Sequence, residues 1–136
     1  MSLASIQQAL LERAIVAIGN RPTEFENIAF DTPSDGTSWA KVNFLPNDPR
    51  PISIGLNGYD EYDGLLQIDF NTKVNTGDKE QRDFYSQIRS YFTGGTKLVY
   101  NGQYVLITRC GRSQGRQIDG WYRVSTSAYW YAQVPR

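Results

Sequence analysis

The spacing of apolar residues changes along the chain, and each spacing predicts one kind of element. From Leu3 to Ile18, apolar residues recur every three or four positions, which is the period of an amphipathic helix. Ser2 or Ser5 can cap the start of this helix, and Gly19 can end it in a left-handed conformation. The pattern therefore predicts a first helix at the N-terminus.

Apolar and polar residues alternate in later segments, as they do in half-buried strands. The alternation predicts strands over 38–45, 59–71 and 120–134. Residues 97–109 contain two apolar runs joined by Asn101-Gly102, which predicts a hairpin with a type I′ turn. Both faces of the last strand carry aromatic residues, so we expect something to cover part of its outer face.

A second helix is predicted between the strand at 59–71 and the hairpin. Its early turns carry Asp78, Glu80 and Asp83, where the helix dipole favours acidic residues. Its apolar stripe consists of Phe84, Ile88, Tyr91 and Phe92. Gly94-Gly95 leads from this helix into a strand, the reverse of the order in phosphate-binding loops, so it is predicted to end the helix.

Two segments follow neither period and are predicted to be loops. Residues 46–58 hold three of the six prolines and two glycines, and residues 110–119 carry glycine and arginine. Long irregular loops in compact domains are often functional.

Together these elements predict an α+β fold in a single domain, residues 1–136. We expect a mainly antiparallel or mixed sheet of about four to five strands, with two helices packed on one face.

Histidine is absent, and Cys110 is the one cysteine. These counts exclude Ser-His-Asp and Cys-His catalysis within the chain, His-ligated metal sites and an internal disulfide. No segment is apolar for long enough to span a membrane, and the N-terminus lacks the order of a signal peptide. Synthesis in a reducing cytoplasm is therefore expected.

The formal net charge is zero, which argues against a dedicated nucleic-acid-binding protein. The charges are unevenly distributed, however. Residues 1–96 hold eight basic and thirteen acidic residues, a net charge of −5, whereas residues 97–136 hold six and one, a net charge of +5. Opposite patches of this kind suit head-to-tail contact between copies of one chain.

An acidic cluster is the first candidate for chemistry. Asp60, Glu61 and Asp63 precede or begin a predicted strand and would suit a hard cation or an acid/base pair. Their spacing does not match an EF-hand loop, and charge clusters usually face solvent, so a solvated junction is favoured.

The second candidate is the arginine-bearing segment. Arg109 and Arg112 flank Cys110 and could lower the pKa of its thiol, but no base accompanies it, so a bystander thiol is favoured. Together with Arg116, these arginines could contact phosphate or nucleic acid. A protein–protein rim or plain solvation is favoured, because no long basic run accompanies them.

Four segments in order resemble the tail-terminator-like proteins of long-tailed bacteriophages, the family of the lambda-type minor tail protein U and its prophage relatives. They are PTEFENIAF at 22–30, YDGLLQIDF at 62–70, QIDGWYRV at 117–124 and STSAYWYAQV at 125–134. The likeness covers nearly the whole chain, including the N-terminal helix. The family often has Trp where Phe25 stands, a departure that keeps the aromatic character. The resemblance implies the same α+β arrangement of a sheet and two helices.

It also implies a structural protein of the virion tail, made in the host cytoplasm, and not an enzyme. In this family, subunits form a hexameric ring on the head-proximal end of the tail tube, stop its polymerisation and join it to the head–tail connector. The expected partners are further copies of the chain, the tail tube protein and the connector or neck protein. DNA is expected to pass through the lumen without specific binding, and no cofactor, metal or membrane is expected.

The resemblance transfers no residue roles, so candidate interface residues come from the sequence alone. They lie in or beside the 46–58 loop and the arginine-bearing segment, and they are Asp48, Arg50, Asp60, Glu61, Arg109, Arg112 and Arg116.

Two alternatives stay open. One is a related neck or tail-completion protein of the connector. The other is a small-ligand-binding α+β domain or a histidine-free enzyme, which a closed apolar cavity bounded by Tyr62 and Trp121 would support.

Overall fold

A computed structural model describes all 136 residues and contains two helices and one sheet of eight strands. The helices are α1 (Leu3–Ile18) and α2 (Lys79–Tyr91). The strands are β1 (Thr23–Glu24), β2 (Trp39–Pro46), β3 (Arg50–Pro51), β4 (Tyr59–Lys73), β5 (Lys97–Tyr100), β6 (Gln103–Arg112), β7 (Arg116–Ile118) and β8 (Trp121–Pro135).

The first helix begins and ends where its capping residues predict. The side chain of Ser2 accepts a hydrogen bond from the Ser5 backbone N–H at 3.2 Å, and Gly19 ends the helix with φ of 74°. This φ is left-handed, which glycine adopts without steric cost. The buried stripe of α1 consists of Ile6, Ala9, Leu10, Ala14, Ala17 and Ile18.

The sheet follows the order β1-β2-β4-β8-β6-β5, with β3 paired to the start of β4 and β7 paired to β8. All pairs are antiparallel except β1 with β2, so the sheet is mixed. The α+β class is confirmed, whereas the two helices are not clearly packed on one face of this curled sheet. The predicted count of four to five strands is wrong, because two-residue and three-residue strands carry too few positions to show a period.

The central strands β4 and β8 pair over their whole lengths, from Tyr59 opposite Pro135 to Lys73 opposite Trp121. Every second residue of both strands faces one buried cluster, which also receives α1, α2, β2 and β6. The largest of its side chains are Trp130, Phe70, Phe84 and Phe92. The helix α1 contacts β5, β6 and α2, whereas α2 contacts β4, β6 and β8. The sheet side that faces this cluster is called the inner face below, and the other side the outer face.

The predicted hairpin turn is confirmed, since Asn101 and Gly102 both have positive φ, at 48° and 79°. The predicted loop at 110–119 is wrong. The strand β6 continues to Arg112, and β7 forms a second hairpin with β8 through Asp119-Gly120, whose φ values are 52° and 82°. An Asp-Gly pair between strands is itself a signal for this turn.

The second helix ends earlier than its glycine pair suggests. Phe92 caps α2, and its N–H bonds to the carbonyls of Ile88 and Arg89. Gly94-Gly95 instead opens the β5–β6 hairpin, where the Gly95 N–H donates to the Ile107 carbonyl at 2.7 Å. The pair therefore belongs to the sheet and does not cap the helix.

Candidate interaction surfaces

One row of side chains crosses four strands on the outer face of the sheet. Leu45 lies opposite Leu65, Leu65 opposite Tyr129, and Tyr129 opposite Arg109. A bulge between Ile107 and Arg109 shifts the register of β6 and brings Arg109 to the same side as Tyr129. The row borders a depression of about 490 Å³, called the outer-face groove, which also has Leu106 and Tyr131 in its walls.

Arg109 stands over this groove without an acidic partner. Its guanidinium carbon lies 3.8 Å from the centre of the Tyr129 ring, a cation–π contact. No carboxylate lies within ion-pair distance, whereas Arg50, Arg112 and Arg136 each pair with an acidic side chain. The groove thus combines apolar walls with one uncompensated positive charge.

The predicted acidic cluster is neutralised by two arginines. Arg50 binds Glu61 at 2.7 Å and Asp63 at 3.4 Å, and the contact with Glu61 raises the pKa of the Arg50 guanidinium. Asp60 binds Arg136 at 2.7 Å. No group of three His, Cys, Asp or Glu side chains is arranged to hold a metal ion. The cluster is therefore a set of ion pairs at one end of the sheet.

Asp48 is exposed in the loop before β3 and has no ion-pair partner. The structure thus brings Arg50, Glu61 and Asp60 together at the end of the sheet and leaves Asp48 free beside them.

The three arginines near Cys110 do not form one patch. Arg109 faces outward, whereas Arg112 lies opposite the inward-facing Thr126 and binds Asp78 at the start of α2 at 3.5 Å. Arg116 donates to the hydroxyl of Ser125 at 2.9 Å. The three arginines are separated because β6 and β7 both pair with β8. The sequence predicted a loop at 110–119 and therefore did not predict this pairing.

The contact of Arg116 leads to a buried carboxylate. Ser125 donates to Asp69, which also accepts a hydrogen bond from Gln67 at 2.9 Å. Asp69 is only 4% exposed. Buried carboxylates require such partners, so Arg116 is tied to the structure of the sheet.

The thiol of Cys110 is not activated. Partial burial raises its pKa to about 11, and the opposing effect of Arg89 is smaller. A raised pKa keeps the thiol protonated near neutral pH, which is the reverse of what a nucleophile requires. This supports the bystander interpretation of the sequence.

A feature that sequence reasoning missed is the apolar end of the loop between β3 and β4. Ile54 is fully exposed, and Leu56 is 91% exposed. The signal was present in the sequence, since apolar residues interrupt a loop otherwise made of Pro, Gly and polar residues. Their position depends on Arg136, which folds the loop against the end of β8.

The ligand-binding alternative loses its specific support. Tyr62 packs against the buried cluster, and Trp121 lies edge-on to Trp39 with ring centroids 5.9 Å apart. Trp121 also borders a depression beside Asp35 and Lys73 that has few apolar walls.

No helix has the length and apolar composition needed to cross a membrane.

Comparison with known proteins places these surfaces in context. The sequence model of the family described as phage tail terminator protein matches residues 5–130. Among the solved structures that match, one has a TM-score of 0.72 and 20% sequence identity and covers 98% of this chain and 97% of the other, which shows a shared fold. No curated protein matches.

The family match covers nearly the whole chain. The chain belongs to the phage tail terminator family. It is therefore a structural component of a bacteriophage tail, and the family resemblance predicted from the four sequence segments is confirmed.

Proposed function

We propose that this protein caps the head-proximal end of the tail tube as a ring of identical subunits, six in number as the family resemblance implies. The ring stops tube polymerisation and offers its other face to the head–tail connector. The observation that carries this proposal is the family match over residues 5–130.

The charge arrangement supports a ring of identical subunits. Only two ion pairs join the acidic residues 1–96 to the basic residues 97–136, and they are Arg112–Asp78 and Arg136–Asp60. Arg109 and Arg116 therefore keep unpaired charges in the basic part, as Asp48 does in the acidic part. A ring needs two different, complementary patches on each subunit, and unpaired charges of opposite sign supply them.

Light scattering over a range of protein and salt concentrations tests the ring. The expected particle has about six times the 15.4 kDa mass of the chain, and its dissociation increases with salt because exposed charge pairs are screened. A second form of assembly is a monomer that associates only on tail tubes, so tubes are added in a parallel series. A chain that remains monomeric and leaves tubes free to elongate contradicts the proposal.

Electron microscopy of particles carrying a labelled chain distinguishes the terminator from a neck protein. Density at the end of the tube, in contact with the last tube ring, supports the terminator. Density confined to the portal-proximal connector would assign the protein to the neck instead.

A further inference from the structure

The loop between β3 and β4 presents an apolar apex made by Ile54 and Leu56. Both side chains stand in solvent although burial of a large aliphatic side chain is favourable by roughly 1.5–3 kcal/mol. Neighbouring positions of the same loop are folded back and hydrogen-bonded, so the exposure is not a property of the whole segment. An apex of this kind is typical of a surface that another protein covers.

Arg136 holds the apex in a fixed shape. Its guanidinium donates hydrogen bonds to the carbonyls of Ser53, Gly55 and Tyr59 and to the carboxylate of Asp60. Its backbone N–H donates to the Gly58 carbonyl at 2.8 Å. A loop ordered before contact loses little conformational entropy when it binds, and this favours tight association.

The outer-face groove has the size and polarity to receive this apex. Its volume of about 490 Å³ exceeds what two aliphatic side chains need, since roughly 150 Å³ holds a benzene-sized group. Leu45 and Leu106, at 46% and 38% exposed, supply apolar wall. The acid in the groove, Asp63, is already bound by Arg50 at 3.4 Å and by Asn47 at 3.2 Å.

Charge complementarity indicates which segment fits the outer-face groove. Asp48, in the loop before β3 and separated from the apex loop by that two-residue strand, has no cationic partner, and Arg109 in the groove has no acidic partner. An adjoining depression of about 470 Å³ contains Lys97 and shares Leu106 and Tyr131 with the outer-face groove, so it extends the same basic surface. A separate depression of about 300 Å³, between α1 and residues 25–28, contains Glu26 and no basic residue. It would repel Asp48, so the outer-face groove fits the apex loop better.

We infer that, within the ring proposed above, the apex of one copy docks into the outer-face groove of the next copy, with Asp48 facing Arg109. The contact joins two different surfaces of the same chain, so it repeats head to tail and can close into a ring. It also covers the aromatic outer face of β8. The inference rests on the proposed ring and names the residues that form its repeating contact.

Two variants, each defective in one surface, test this contact by light scattering. The apex variant carries Ile54→Ser and Leu56→Ser, and the groove variant carries Arg109→Asp. Each alone should need at least tenfold more protein to assemble than the unmodified chain. Mixed in equal amounts, they should form a dimer of about 31 kDa and no larger ring, since the mixture contains only one intact contact per pair.

A charge exchange provides the second test. Asp48→Arg alone should weaken assembly, and combining it with Arg109→Asp in one chain should restore assembly to within about threefold, because the pair re-forms with reversed signs. Ile28→Ser is the matched control, since Ile28 is 64% exposed but lies outside both surfaces. Thermal melting of each variant verifies that the fold is intact.

The possible outcomes separate the inference from the proposed function. If the unmodified chain forms rings and the apex and groove variants do so equally well, the ring stands and this contact is overturned. If the two single-surface variants fail to assemble alone and pair when mixed, but the charge exchange gives no rescue, the pairing of Asp48 with Arg109 is overturned. A chain that neither self-assembles nor binds tubes overturns both the ring and the contact.

Discussion

Trp130 lies nearly flat against Phe44, with ring centroids 5.5 Å apart and planes 11° apart. The indole is 1% exposed and belongs to the cluster that joins the sheet to both helices. Its N–H has no hydrogen-bond partner, so its contribution to stability comes from packing. The contact joins β8 to β2 across the intervening strand β4, where Gly64 is paired with Trp130.

Replacement of Trp130 by Ala should destabilise the fold by about 3–5 kcal/mol, because it leaves a cavity beneath the sheet. Urea unfolding followed by circular dichroism measures the change. Trp130→Phe, which retains an aromatic ring against Phe44, should lose less than half as much. Equal losses for Ala and Phe would show that the stacked geometry does not matter.

Gly64→Ala should destabilise the protein by about 1–3 kcal/mol, because the new methyl group meets the Leu45 carbonyl and the Pro46 backbone. Neither backbone group can move without disturbing β2. Gly111→Ala is the matched control, since a Cβ at this strand position meets nothing within 4 Å. Melting temperatures that fall equally for both variants would contradict the steric explanation.

Arg136→Met should loosen the apex loop while leaving the core unchanged. The loss of the guanidinium removes hydrogen bonds to three carbonyls, so amide hydrogen exchange over 53–59 should increase at least tenfold. Arg136→Lys should restore only part of the protection, because an ammonium group lacks the forked donor geometry of a guanidinium. Unchanged exchange in the Met variant would show that the loop is ordered by other contacts.

Arg112→Glu should lower stability by about 1 kcal/mol, because it replaces an ion pair with a second carboxylate beside Asp78 at the start of α2. Arg82→Glu also places an acid near Asp78 but at a more exposed site, so its effect should be smaller. Calorimetric melting curves compare the two.

The double variant Arg112→Glu, Arg116→Glu should also weaken assembly of the proposed ring. Its melting temperature must be measured together with its particle mass, so that a loss of folding is separated from a loss of assembly.

Alkylation of Cys110 by iodoacetamide should be slow at pH 8 and should rise with a midpoint near pH 11, because burial raises the pKa of the thiol. The same shift in pKa makes the free energy of unfolding depend on pH. The folded protein holds the proton more tightly than the unfolded chain, so this contribution is complete below about pH 9 and is lost as pH rises towards 11. The variant Cys110→Ser should lack this decline. A midpoint below pH 9 would contradict the shift.

Local signals in the sequence were sufficient for the elements that local contacts determine. The cap at Ser2, the end at Gly19 and the turn at Asn101-Gly102 all depend on residues within four positions of one another. The alternation in β4 and β8 identified their buried faces, because one whole face of each strand packs on a core.

These local signals did not predict contacts between residues that are distant in the sequence. Arg136 folds the apex loop from more than seventy positions away. Arg112 turns away from Arg109 because residues three positions apart in a regular strand face opposite sides of the sheet. The short strands β1 and β3 exist only through pairing with longer neighbours. The candidate interface residues could be named from the sequence, but their division into separate surfaces could not.

The place of β8 in the sheet has a consequence for the order in which subunits mature. This strand is the last to be synthesised of the eight, yet it lies between β4 and β6 and joins two parts of the sheet that otherwise have no common border. Until it is inserted, each part keeps a long unpaired edge of the kind that invites aggregation. The sheet is therefore completed in one late step, so an unfinished chain would bring incomplete contact surfaces to the proposed ring.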